Sequence, residues 1–190
     1  SKKEQVKIQD KAYLLLGKSR FYDQKYISAL QAFNQIDEKK SEAILWKTMI
    51  YLNLDQPDIA LRKAKEEVQK IGLKSNDLNI LKSITQSEII NNNYDEALAG
   101  LKKIYKQTND KQLKSRSSFI SAQIYSELNK IDSAKAFFSK TINSGINKSS
   151  EIYLRSKLKI MSLSDGYKTE DYQKLIKSER YPDKEALILY

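Results

Sequence analysis

Apolar residues recur three and four positions apart along most of this chain, and they group into pairs of short stretches separated by polar turns. The opening pair covers Lys11–Gln35 and turns at residues 23–25. Spacings of three and four place side chains on one face of an α-helix, so this stretch predicts a helical hairpin. The two apolar faces are Tyr13, Leu16 and Gly17 in the first stretch, and Tyr26, Ala29, Leu30 and Phe33 in the second.

Gly17 lies inside the first predicted helix, where glycine costs about 1 kcal/mol relative to alanine. We therefore expect a partner helix to approach its backbone closely, with Ala29 as the small residue on the opposing helix. A single hairpin cannot bury the apolar residues on all its faces, so it needs further hairpins beside it.

The chain supplies such hairpins at a regular period. Ala29, Ala60, Ala97 and Ala134 each lie early in the second helix of a pair, at separations of 31, 37 and 37 residues. A helical hairpin recurring at this period indicates a repeat solenoid. We expect an all-α single array of about five hairpins. The predicted units are residues 11–36, 41–72, 75–107, 111–144 and 149–178, with residues 181–190 beginning a further or capping helix.

Turn and capping residues predict several helix ends. Ser41 is the predicted cap of the third helix. Pro57 lacks an amide donor but suits the first turn of a helix, and Gly72 suits a left-handed C-terminal cap. Ser75 and Asp77 are alternative N-caps for the helix that follows.

Composition agrees with a helical chain and narrows the chemistry. The 190 residues include only 5 Gly and 2 Pro, and they include no His and no Cys. The usual general bases, nucleophiles and zinc ligands are therefore missing. The adjacent carboxylates at 66–67, 95–96 and 170–171 diverge on a helix surface and form no acid–base pair. We expect no enzymatic activity, no metal and no cofactor.

Positive charge is concentrated in one part of the chain. The net charge is +10, and residues 99–160 contribute 13 Lys and Arg against 4 Asp and Glu. A basic face attracts anionic partners, and a solvated lysine-rich surface is the alternative interpretation. We define the basic patch as Lys102, Lys103, Lys106, Lys111, Lys114 and Arg116.

The basic patch raises an alternative function, that of a nucleic-acid-binding helical repeat protein. A single-strand binder needs stacking aromatic residues along a basic groove, and Tyr105 lies within the patch. The aromatic residues follow helical core spacing, however. Lysine also outnumbers arginine, the residue suited to bidentate recognition of bases. These observations favour a protein partner.

The units resemble the tetratricopeptide repeat, whose nominal period is 34 residues. The resemblance covers at least residues 11–143. No unit ends in the consensus proline, and only the first has the Leu-Gly pair, which leaves the angles between units open. The residues that carry the resemblance are Leu16, Gly17, Tyr26, Ala29 and Phe33, then Tyr51, Ala60 and Ala64, then Tyr94, Ala97 and Leu101, then Ala122, Tyr125, Ala134 and Phe138.

This resemblance implies a right-handed solenoid in which the first helix of each unit lines a concave groove for a peptide or a partner helix. The implied groove is apolar and aromatic at its N-terminal part and polar and basic at its C-terminal part, which suits an amphipathic segment with an acidic end. For Phe21 and Tyr22, packing on a neighbouring repeat is the alternative. The groove positions are Leu14, Lys18, Phe21, Tyr22, Leu45, Met49, Asn53, Lys82, Gln86, Arg116, Gln123, Tyr153 and Lys157.

Chaperone-binding members of this family hold a C-terminal carboxylate with Lys, Asn, Asn, Lys and Arg at five groove positions. The chain departs from that pattern at most of them, so the resemblance does not imply a carboxylate ligand. The residues at these positions are Leu14, Lys18, Met49, Lys82 and Gln86.

A narrower resemblance rests on Tyr13–Ile36 and the helix with Trp46 that comes next. The linker at residues 21–24 and the Ala-Phe-Asn ending at residues 32–34 are similar to those of the tetratricopeptide lipoproteins of Bacteroidetes gliding motility and type IX secretion. It implies a lipid-anchored accessory subunit of the secretion machinery at the periplasmic face of the outer membrane. Without it, we expect a soluble interaction scaffold.

The chain begins with Ser1, carries no apolar signal segment and contains no run of 18 apolar residues that could span a membrane. We expect it to be a fragment of a longer protein.

Overall fold

The computed structural model describes residues 2–37, 40–72 and 77–164. Within these ranges the chain forms α-helices joined by turns. Ser75, the second helix of the predicted fifth unit and residues 181–190 lie outside the described residues. The helices are α1 (Lys2–Tyr22), α2 (Tyr26–Phe33), α3 (Lys40–Asn53), α4 (Pro57–Ile71), α5 (Leu78–Ile90), α6 (Tyr94–Gln107), α7 (Lys111–Glu127), α8 (Ile131–Ile142) and α9 (Glu151–Ser162).

The described residues divide into two compact units, the first ending at Gly100 and the second beginning at Leu101. In the first unit α1 packs on α2, α3 packs on α4, and both α3 and α4 contact α5. In the second unit α7 packs on α8, which in turn packs on α9. Consecutive helices therefore pair as hairpins within each unit.

Several helix ends differ from the predicted ones. The first helix begins at Lys2, nine residues before residue 11, where the first hairpin was predicted to start. The third begins at Lys40, so Ser41 lies inside it and does not cap it. Asp77 is the N-cap of α5, since its carboxylate accepts hydrogen bonds from the amides of Asn79 at 2.8 Å and Ile80 at 3.2 Å.

The four recurring alanines are buried as predicted. Ala29, Ala60, Ala97 and Ala134 each expose 0 % of their surface. Ala29 and Ala134 each belong to a buried cluster that contains large apolar side chains. One cluster comprises Leu14, Phe21, Ala29, Phe33, Ile36, Ala43, Met49 and Ile50, and another comprises Phe119, Ala122, Ala134, Phe138 and Ile152.

The close approach expected at Gly17 is confirmed, although its partner is Phe33. A Cβ atom added to Gly17 would lie 2.7 Å from Cδ1 of Phe33 and closer still to Cε1. Such a distance is well inside van der Waals contact, so the aromatic ring occupies the space that a side chain would need. The glycine is therefore required by packing.

Four hairpin turns share one backbone geometry. Each contains one non-glycine residue in the left-handed region, with φ between 54° and 59°. The next amide donates to the carbonyl five residues earlier, at 2.8–2.9 Å, which is the Schellman arrangement of a helix C-terminus. The left-handed residues are Gln24, Asp55, Asn92 and Asn129, each five positions before a buried alanine.

Small residues recur at a second position of the hairpins. Twelve positions before each buried alanine lie Gly17, Thr48, Thr85 and Ala122, which are all buried. Gly100 provides space beside one of them, because an added Cβ would lie 3.0 Å from the Cβ of Thr85. The repeated crossing of two helices at near contact explains why both positions hold small side chains.

Candidate functional site

The predicted groove residues of the first unit divide by burial. Leu14, Phe21 and Met49 expose only 7, 7 and 4 % of their surface and belong to the hydrophobic core. They support the helices from inside and leave little area for a partner. The Phe21 ring packs within this core, which is the alternative interpretation of this residue from the sequence.

Other residues of the same predicted groove reach the surface. Tyr22 exposes 72 % of its surface, and Asn53 is exposed, whereas Lys18 and Leu45 are half-buried. The side-chain amide of Asn53 donates to the carbonyl of Met49 at 2.9 Å. We call Lys18, Tyr22, Leu45 and Asn53 the first-unit face.

Trp46 is the centre of the aromatic side chains behind this face. Its ring centroid lies 5.4 Å from that of Phe21, 6.1 Å from that of Tyr22 and 6.2 Å from that of Phe33. The Phe33 ring is stacked on it, with an interplanar angle of 17°. Tyr22 therefore combines a large exposed area with an edge contact between its ring and the half-buried Trp46 indole.

A cation and a carboxylate complete this arrangement. The Nζ of Lys18 lies 5.1 Å from the Trp46 ring centroid and 3.0 Å from Oε1 of Glu42. Neither Trp46 nor Glu42 was predicted as a site residue. The signal for Trp46 was available, since it is the only tryptophan and follows an unusually aromatic hairpin.

The other predicted groove positions are mostly half-buried. In the first unit this holds for Lys82 and Gln86, and the side-chain oxygen of Gln86 is buried without a hydrogen-bond donor among the described residues. In the second unit Tyr153 exposes 8 %, and the Nζ of Lys157 lies 5.2 Å from its ring centroid. Arg116 and Gln123 are half-buried as well.

The basic patch is largely exposed, but its aromatic residue is already in contact with cations. The Nζ atoms of Lys140 and Lys114 lie 3.8 Å and 5.6 Å from the Tyr105 ring centroid. A nucleic-acid base that stacked on this ring would compete with the ammonium group of Lys140. Lys102, Lys103, Lys106 and Lys111 are exposed, whereas Lys114 and Arg116 are half-buried.

A cavity of about 410 Å³ lies between α2, α3 and α4. Lys47 is one of the residues that line this cavity. Its ammonium group donates hydrogen bonds to both carboxylate oxygens of Glu67, at 2.6 and 2.5 Å, and to Oδ1 of Asn34 at 3.3 Å. Lys47 and Glu67, two of the charged residues at the wall, are thus paired with each other. The described part of the chain contains no cluster of acidic residues suited to a metal ion, and none of its helices is long and apolar enough to cross a membrane.

No protein-family model and no curated protein sequence matches this chain. Solved structures do match it. PilF of Pseudomonas aeruginosa superposes with a TM-score of 0.73 and 16 % identity, over 94 % of this chain and 79 % of that chain. TTC0263, a thermophilic TPR protein of Thermus thermophilus, superposes with a TM-score of 0.59 and 16 % identity, over 88 % and 90 %.

The chain has a tetratricopeptide-like solenoid fold. The MamA protein matches it as well, with a TM-score of 0.64 and 14 % identity over 89 % of this chain and 87 % of that chain. At such identities the likeness shows the tetratricopeptide-like fold alone. It confirms the predicted all-α repeat architecture. The comparisons give no support to the narrower resemblance to Bacteroidetes lipoproteins.

Proposed function

We propose that this chain is a non-catalytic protein-interaction scaffold and that the first-unit face of Lys18, Tyr22, Leu45 and Asn53 contacts its partner. The observation that carries the proposal is the geometry of Tyr22. Its side chain is 72 % exposed, yet its ring leans against Trp46 at a centroid distance of 6.1 Å.

An aromatic side chain that already contacts a neighbouring ring loses little conformational entropy when a partner binds it. Tyrosine buries a large apolar area on binding while its hydroxyl stays available for a hydrogen bond, and tyrosine is enriched at interface hot spots. A side chain that is already restricted loses little freedom when a partner covers it. Tyr22 therefore combines exposure, area and restriction in one residue.

The surroundings of Tyr22 define the class of ligand. Leu45 adds a half-buried apolar area, and Asn53 adds a polar edge. A peptide or helix with an apolar anchor and a polar flank fits this combination. The remaining predicted groove residues belong to the same proposal and are to be tested within their own units.

Site-specific photocrosslinking tests the first-unit face in the native cell. A benzophenone amino acid at position 22 should yield discrete protein adducts, whereas the same group at Ile90, an exposed residue of α5, should yield few. Unlabelled chain in excess should compete for the adducts. Equal and diffuse labelling from both positions would contradict the proposal.

Truncation of Tyr22 supplies an independent measurement. The Tyr22→Ala variant should lose at least about tenfold in affinity for the crosslinked protein, as expected for a hot spot. Leu54→Ala, at an exposed site of the same unit, is the matched control. Phe21 is unsuitable for this purpose because its burial would confuse binding with stability.

We propose further that the parent protein is an accessory lipoprotein of the type IX secretion or gliding machinery. The support is the resemblance of Tyr13–Ile36 and of the helix with Trp46. Metabolic labelling of the full-length protein with palmitate, followed by membrane fractionation, tests it. Absence of the label would contradict this narrower proposal and leave the scaffold proposal unaffected.

A further inference from the structure

A second surface of α1 carries a line of exposed apolar side chains. Ile8, Leu15 and Tyr22 expose 66, 72 and 72 % of their surface and lie seven residues apart. The exposed small residues Ala12 and Ser19 lie between them. Alternating steps of four and three residues form the seam of a coiled coil. We call these five residues the α1 stripe.

The α1 stripe is separate from the face by which α1 joins the core. Leu14, Gly17 and Phe21 are the buried residues on the core side. A single exposed leucine is ordinary on a protein surface, but three large apolar residues in heptad register form a continuous line. Ile8 and Tyr22 are 14 positions apart, so this line is about 21 Å long at 1.5 Å per residue.

The side chains of the stripe differ in size in a regular way. Large residues occupy one heptad position, and the small Ala12 and Ser19 occupy the other. Small side chains let a second helix approach closely, and its own large residues then fill the space beside them. The stripe therefore fits a helix more closely than it fits an extended peptide.

Charge determines which helix fits. Six basic residues and two acidic residues lie on α1, and the exposed Lys7 and Lys11 lie along one edge of the stripe. Lys18 continues this edge but is already paired with Glu42 at 3.0 Å. A second copy of a chain with net charge +10 would bring further positive charge to this edge, whereas an acidic helix would be attracted.

We propose that the α1 stripe binds an amphipathic helix of a partner protein, with large apolar residues in heptad spacing and Glu or Asp along one border. Ile8 and Leu15 are its main contacts and Lys11 its charged contact. This surface goes beyond the first-unit face of the proposed function, because neither Ile8 nor Leu15 belongs to that face.

Two synthetic helices serve as probes. Both contain leucine at the heptad core positions, and their border positions carry glutamate in one peptide and lysine in the other. Fluorescence anisotropy measures their binding to the complete chain. The glutamate peptide should bind, and its affinity should fall as salt is added, because screening weakens exposed charge pairs. The lysine peptide should bind at least about tenfold more weakly.

Three variants locate the binding. Leu15→Glu should weaken the glutamate peptide at least about tenfold, and Lys11→Glu should reduce the difference between the two peptides. Ile90→Glu, at an exposed site on α5, should change neither. Because Leu15 and Lys11 are exposed, thermal melts of all variants should match that of the wild type.

Several results would overturn the proposal. Equal binding of the two peptides, or unchanged binding by Leu15→Glu, would show that the α1 stripe is not an acidic-helix site. Sedimentation of the wild type as a dimer that Leu15→Glu dissociates would assign the stripe to a second copy. Tyr22 belongs to both surfaces, so photocrosslinking from position 22 is repeated in the Leu15→Glu chain, which leaves the first-unit face unchanged. Adducts that persist in this variant belong to the first-unit face, and adducts that disappear belong to the α1 stripe.

Discussion

The first hairpin, α1–α2, and the fourth, α7–α8, have the same turn geometry but different side chains at the crossing of their two helices. Both place a left-handed residue five positions before a fully buried alanine. In the first, Gly17 leaves its space to the Phe33 ring. In the fourth, Ala122 occupies the corresponding position and Phe138 that of Phe33, and both expose 0 %. The same two positions of the hairpin thus hold a Gly–Phe pair in the first hairpin and an Ala–Phe pair in the fourth.

The two hairpins also differ on the surfaces away from the crossing. Among the described residues, the large exposed apolar side chains all lie in the first unit, and five of those seven lie on α1 and α2. In the fourth hairpin, α7 instead buries serines, and the hydroxyls of Ser117 and Ser121 donate to carbonyls four residues earlier at 2.8 Å. The comparison separates a hairpin with an exposed apolar surface from one that buries several serine hydroxyls, of which those of Ser117 and Ser121 are bonded within the helix.

Truncation of the two phenylalanines should have the largest effect on stability. Phe33→Ala and Phe138→Ala should each lower the free energy of unfolding by about 3–5 kcal/mol, the usual cost of removing a buried aromatic ring. Phe33→Ala should cost more, because Gly17 has no methyl group to fill part of the cavity. Urea unfolding followed by circular dichroism measures both, with Ile27→Ala, at a 77 % exposed site, as the control. A clearly larger loss for Phe138→Ala would contradict the expected role of the missing methyl group.

A methyl group added at Gly17 sharpens the comparison. Gly17→Ala should cost about 1–3 kcal/mol, because the new Cβ overlaps the Phe33 ring and overpacking is destabilising. In the Phe33→Ala background the same change should stabilise by about 1 kcal/mol, the difference in helix propensity between alanine and glycine. The four proteins form a double-mutant cycle.

The fourth hairpin provides the reverse test. Ala122→Gly should destabilise by about 1 kcal/mol, since the Phe138 ring already coexists with the Ala122 methyl group. If Gly17→Ala stabilised the wild type, the close approach of Gly17 to Phe33 would not be what requires the glycine.

Much of this packing was predictable from local spacing. The alanines and Gly17 could be placed because the helical period decides which small residues meet at a crossing. Ala29 was predicted to lie opposite Gly17, whereas the Phe33 ring, one helical turn further along α2, fills the space beside the glycine. Within the leucine run at 14–16, periodicity alone did not show that Leu14 would expose 7 % and Leu15 72 %.

The first-unit face was predictable only in part. Tyr22 was named from the resemblance, and it is exposed. Trp46 was missed as a site residue because its contacts with Phe21 and Phe33 join residues distant in sequence. The left-handed conformation of Gln24 was also missed, because glycine and asparagine are the usual signals for that conformation.

The turns offer a smaller test of the same two hairpins. Gln24→Gly should stabilise the chain by about 0.5–1 kcal/mol, because the left-handed region is costly for an ordinary side chain and free for glycine. Asn129→Gly should gain less, since asparagine tolerates this conformation better. Thermal denaturation at equal protein concentration ranks the variants, with Gln24→Asn between wild type and Gln24→Gly. Destabilisation by Gln24→Gly would mean that the Gln24 side chain contributes more than its backbone costs.

The smallest expected effect concerns the lysines that lie over aromatic rings. Lys140→Ala should cost about 0.5–1 kcal/mol, the usual contribution of an exposed cation–π contact, because its Nζ lies 3.8 Å from the Tyr105 ring centroid. Lys102→Ala, at an exposed position of the basic patch, should change stability by less than about 0.5 kcal/mol. Chemical denaturation of both variants in low and high salt measures the difference. If Lys102→Ala proved the more costly of the two, the contact between Lys140 and Tyr105 would contribute little to stability. The Tyr105 ring could then accept a nucleic-acid base at little cost.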